Sequence, residues 1–69
     1  MNKLEKLALL NWANQLSDQE LKKEYNRTFD IYADAIEDNY YLGIPFPKDI
    51  EEKVKILGKI CSERGIYLL

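Results

Sequence analysis

SDQELKKEYNRTFDIYADAIEDNYYLGIPFP, from Ser17 to Pro47, decides the fold of this chain. Ser17-Asp18-Gln19-Glu20 has capping-box spacing, in which the serine oxygen takes one orphan backbone donor of a new helix and the glutamate reaches back to another. Leu21, Tyr25, Phe29, Tyr32, Ile36 and Tyr40 then recur at helical spacing and fall within a narrow arc, the strongest periodic signal in the sequence. Gly43 supplies a helix stop. Ile44-Pro45-Phe46-Pro47 cannot continue the helix, because each proline fixes its own φ and disfavours the α region for its predecessor.

On either side of this stretch lies one further helix. Asn2 and Glu5 have cap spacing, so a first helix is expected from about Lys3 to Gln15. A third begins near Pro47 to Asp49 and places Ile50, Val54, Leu57, Ile60 and Cys61 on one broad stripe until Gly65 stops it. Ile66 to Leu69 must fold back to hide their apolar side chains. The 69 residues read as one all-α domain, a helical hairpin with a short N-terminal helix packed across it, in effect a small three-helix bundle. The first helix has two apolar sides, Leu4, Leu7 and Leu10 against Leu9, Trp12, Ala13 and Leu16. A chain this short buries only about 60% of its unfolded surface. Leu9, Trp12 and Leu16 are therefore a candidate oligomer face, with a second copy (a homodimer), another protein or a covering C-terminal tail as the ways to hide them.

Charge is segregated. Asp30, Asp34, Glu37, Asp38, Asp49, Glu51 and Glu52 crowd a segment whose one cation is Lys48, while the remaining residues are net positive and the whole chain carries −2. Acids near the C-terminus of the second helix, with Lys22, Lys23 and Arg27 near its start, oppose the helix macrodipole by a few tenths of a kcal/mol each. Asp30, Asp34, Glu37 and Asp38, with Tyr41 among them, lie opposite the apolar stripe; Asp49, Glu51 and Glu52 are expected to extend them across the hairpin end. The pattern points to a partner-binding surface for a protein with a basic face. A solvated helix face is the plainer alternative.

Other chemistries are excluded or disfavoured. No histidine is present, which removes histidine-based triads, metal sites and acid–base work. Cys61 stands alone on an apolar stripe, so it reads as packing in a reducing compartment. The carboxylates sit at helical spacing, without the glycine turn that gathers oxygens around calcium. No glycine-rich phosphate loop occurs, and no cofactor or enzymatic activity is expected. A recognition helix starting at Asp49, Glu51 and Glu52 would repel phosphate, and the sequence pI of about 5.0 argues the same way, so nucleic acid is not the expected partner. Leu7 to Leu10, the longest apolar run, falls far short of the roughly 20 residues of a membrane span. A bacterial or host cytosol is the expected location.

Leu16-Ser17-Asp18-Gln19-Glu20-Leu21 with Tyr25, and later Ser62-Glu63-Arg64-Gly65-Ile66, resembles the layout of the Sda-like helical-hairpin kinase inhibitors and of small phage or mobile-element proteins of Gram-positive bacteria. The resemblance spans Leu16 to Ile66 and implies a non-enzymatic inhibitor that docks on a helical target. The extra first helix, the insertion around Gly43 to Pro47 and Glu63-Arg64 in place of paired arginines depart from that layout. A composition rich in lysine, asparagine, isoleucine and tyrosine accompanies AT-rich genomes and fits the same source. The expected function is a small protein-binding regulator or inhibitor; a structural homo-oligomer and a small DNA-binding regulator are the alternatives.

Overall fold

The computed structural model describes residues 2–67. Three helices form: α1 (Lys3–Asn14), α2 (Asp18–Leu42) and α3 (Lys48–Glu63). Local chemistry sets their ends. The Glu5 N–H donates to Asn2 Oδ1 at 2.8 Å and caps α1. At Ser17 both arms of the capping box are made, Glu20 N–H to Ser17 Oγ and Ser17 N–H to Glu20 Oε1, each 3.1 Å. Gly43 ends α2 at φ 69°, a left-handed conformation that costs glycine nothing. Gly65, at φ 72°, ends α3 in a Schellman turn: Ile66 N–H donates to the Cys61 carbonyl at 2.9 Å and Gly65 N–H to that of Ser62 at 3.1 Å. That turn brings Ile66 back onto the core. Tyr67 is exposed, and the expected burial of Leu68 and Leu69 lies outside the described residues.

α3 is the element that packs on both others. α2 runs antiparallel to it, as Asp18 beside Arg64, Tyr25 beside Gly58 and Tyr32 beside Phe46 show in turn. A Cβ at Gly58 would stand 3.1 Å from the Tyr25 ring, so the missing side chain is what lets α2 come this close. α1 runs the same way as α3: Lys6 meets Glu52 near their starts, and Asn14 meets Arg64 near their ends. The result is a flat layer of 36 × 30 × 15 Å. Its radius of gyration, 12.8 Å, exceeds the about 11 Å of a compact domain of this length. Its accessible surface, 5201 Å², exceeds the about 4,500 Å² expected for its mass.

The fully buried core is correspondingly small, consisting of Ala13, Leu21, Leu57, Ile60 and Cys61, with Leu10, Leu16, Tyr25, Ile56 and Ile66 packed around it. Here the stripe expected on α2 needs correction. Leu21 is buried and Tyr25 and Tyr32 are half-buried, but the buried line continues through Thr28 and half-buried Ala35. Phe29, Ile36 and Tyr40 lie to one side and are exposed. α3 explains the far end. With 16 residues against 25 in α2, it begins near Tyr32, and positions 36–45 are all exposed.

The buried Leu57 has no room to lose volume: Leu57→Ala should cost about 2–5 kcal/mol, whereas Tyr32→Ala, at a half-buried ring, should cost clearly less. Ser17→Ala should cost about 1 kcal/mol through the lost cap. Denaturant midpoints check all three. The bonds from Ser17 hold the Glu20 carboxyl below its ordinary 4.5. A depressed carboxylate stabilises the fold above its unfolded pKa, and that contribution is lost as pH falls through the folded value. Wild type should therefore lose stability on acidification from about 4.5 downward relative to Glu20→Gln, measured by midpoints across a pH series.

Candidate functional site

At about 100° per residue, α2 presents distinct faces. Leu21, Tyr25, Thr28, Tyr32 and Ala35 turn toward α3. Asp30, Asp34, Glu37, Asp38 and Tyr41 occupy the opposite side and are all exposed. The Asp30, Asp34, Glu37 and Asp38 side chains enter no ion pair among the described residues. Tyr41, 75% exposed, stands among them with its ring edge against Tyr40 at 4.9 Å between centroids. No basic residue occupies the last turn of α2 to offset these charges.

The acids of α3 are arranged differently. Asp49 and Glu51 lie in its first turn, where the macrodipole favours them. Glu51 pairs with Lys55 at 3.2 Å, and Glu52 with Lys6 of α1 at 3.5 Å. Both glutamates are half-buried. The structure thus ties Glu51 and Glu52 into the fold, while the α2 acids face outward. The overhang of α2 carries Glu37 and Asp38 past the start of α3.

Leu16, in the turn after α1, packs on the core of its own chain, and Leu9 of α1 is half-buried. Trp12 is 40% exposed, with Lys53 Nζ 5.6 Å from its ring centroid. The apolar residues that α1 turns outward are Leu4 and Leu7. Leu9 and Leu16 are thus turned toward their own chain, while Trp12, like Leu4 and Leu7, keeps apolar surface exposed.

Sequence reasoning missed two features. The first is Arg64, whose Nη1 donates to the Leu16 carbonyl at 2.8 Å and to Asp18 Oδ1 at 3.1 Å, and whose Nη2 donates to the Asn14 carbonyl at 2.9 Å. An arginine directly before the stop glycine, opposite a short α1–α2 turn with orphan carbonyls, was its only sequence signal. The second is an uncovered aromatic row. Tyr25, Phe29, Tyr32 and Phe46 contact ring to ring at 5.9, 6.0 and 5.5 Å between centroids, and Phe29 is nevertheless 44% exposed. Ile36 and Tyr40 continue the row along the overhang.

Among the described residues there is no cavity, no group of three or more potential ligands that could hold a metal ion, and no helix long and apolar enough to cross a membrane. No known family model, curated protein or solved structure matches the chain. Cys61 is the one thiol, fully buried, and burial pushes it above its usual range, with the Arg64 charge opposing and Asp18 assisting. Such a thiol is a poor nucleophile. A thiol-reactive disulfide reagent should leave Cys61 unmodified in native buffer and react at once in denaturant; fast native labelling would show that this end of the core opens readily.

Proposed function

We propose that this chain is a small, non-enzymatic protein-binding regulator or inhibitor that docks through the C-terminal half of α2. One observation carries the reading: Asp30, Asp34, Glu37 and Asp38 stand exposed around Tyr41, on the face of α2 turned away from α3, with no ion pair among the described residues. A fold held by so small a core gains nothing from that placement. A basic partner surface repays it, the acids steering encounter and Tyr41 supplying contact area at low entropic cost. The resemblance of Leu16 to Ile66 to the layout of the Sda-like inhibitors goes with the same reading, as does the burial of Cys61 in a chain without histidine. A bacterial or host cytosol, and a phage or mobile-element source, go with this proposal.

Asp34→Lys with Asp38→Lys tests it on residues that touch nothing in the core. Removing like-charge repulsion at exposed positions should leave the free protein at least as stable. A target captured from the source organism with the wild-type chain should be lost by the double variant, and calorimetry should show the salt dependence of binding fall with it. Unchanged affinity and an unchanged salt slope would reduce the acidic strip to a solvated face.

A further inference from the structure

α2 carries two heptad seams, and α3 fills one. Leu21, Tyr25, Thr28, Tyr32 and Ala35 step by four and three residues along the side that meets α3. One residue further on, Lys22, Asn26, Phe29, Ala33, Ile36 and Tyr40 step by four, three, four, three and four, with Ala33 and Lys22 half-buried and the other four exposed. Alternating steps of three and four are the spacing with which one helix seats another in knobs-into-holes packing. Phe29 at 44%, Ile36 at 45% and Tyr40 at 79% exposure have no such helix against them.

We infer that this second seam is the interface of a homodimer, in which α2 packs antiparallel on α2 of a second copy. Centred between Phe29 and Ala33, the pairing sets Phe29 against Ala33, Ile36 against Asn26 and Tyr40 against Lys22 of the other chain. The large residues of each copy thereby fall on the small or polar positions of the other, and each Lys22 ammonium meets a tyrosine face. Charge selects this register. Lys23, Asp30 and Glu37 flank the seam, and the antiparallel pairing brings Lys23 beside Glu37 of the second copy twice over. A shift of one heptad either sets Asp30 against Glu37 or leaves Ile36 and Tyr40 uncovered. A parallel pairing sets Lys22 against itself. One repulsive contact remains, Asp30 against Asp30 across the two-fold axis.

Sedimentation of the full chain through the micromolar range is the test, with circular dichroism on every variant. Wild type should show a monomer–dimer equilibrium. Ile36→Lys should weaken it by about tenfold or more while retaining its helix signal. Lys23→Glu and Glu37→Lys, both at exposed positions that leave folding alone, should each weaken the dimer, and the two together should restore it because both cross-pairs are swapped at once. Asp30→Asn should tighten it. A wild type that stays monomeric to the highest concentration, a dimer indifferent to Ile36→Lys, or a double swap that remains weak would overturn the inference; a monomer whose seam instead protects a heterologous partner does so too. Asp30 and Glu37 are shared with the acidic strip, but sedimentation of the chain alone involves no target and Asp34→Lys with Asp38→Lys leaves the seam untouched, so the two outcomes are separable.

Discussion

A helix of 25 residues packed against one of 16 is the constraint from which the rest of this structure follows. At about 1.5 Å per residue the difference is some 13 Å of α2 with no helix opposite. The chain cannot close a tight hairpin at Gly43, since Pro45 and Pro47 keep the connection extended, and it runs back along α2 until Phe46 meets Tyr32. Everything distal to that contact is held by α2 alone. A short α3 thus leaves Ile36 and Tyr40 uncovered, while Phe29 and the acidic strip are exposed because they lie off the face of α2 that meets α3.

Closing the other end of the layer falls to Arg64. Three carbonyl or carboxylate acceptors from the end of α1, the turn after it and the first residue of α2 converge on one guanidinium, whose side chain is only 25% exposed. Hydrogen bonds to a charged group contribute about 1.5–3 kcal/mol, a large share of what a five-residue core can hold. The planar fork matters, because an ammonium cannot serve acceptors on both sides of the α1–α2 turn. Packing and polar closure meet here: the Schellman turn that seats Ile66 on the core also fixes the backbone from which Arg64 reaches out.

The helix boundaries were legible because each is written in local chemistry. Asn2, Ser17 with Glu20, Gly43, Pro47 and Gly65 act within a few residues of themselves, and all five terminate or start a helix where the sequence places them. The outward direction of Asp30, Asp34, Glu37 and Asp38 was legible too, since it lies opposite any plausible burial arc. Which apolar residues of α2 face α3 was not. The large apolar residues, drawn from two seams one residue apart, average to an arc lying between them, and the seam that faces α3 does so through polar Thr28 and small Ala35, which add little to an apolar signal. The pairing of Glu52 with Lys6 depends on how α1 docks, and the Arg64 closure joins residues 46 to 50 apart in sequence. No short-range pattern encodes either.

One helix is therefore asked to serve three surroundings around its circumference: the α3 core, a second seam and an acidic back. These requirements are compatible because the second seam and the centre of the acidic strip lie more than a quarter turn apart. In a seam-paired dimer the Asp34 and Asp38 faces stay open, and the two-fold axis displays them twice in opposite directions. Two strips on one rigid body would convert a modest electrostatic contact into a bivalent one wherever a target offers two basic sites at matching separation. Pairing would also add to stability by mass action, in a chain whose own core sits close to the lower size limit for independent folding. The exposed seam of α2 would then couple the folding of the chain to its assembly.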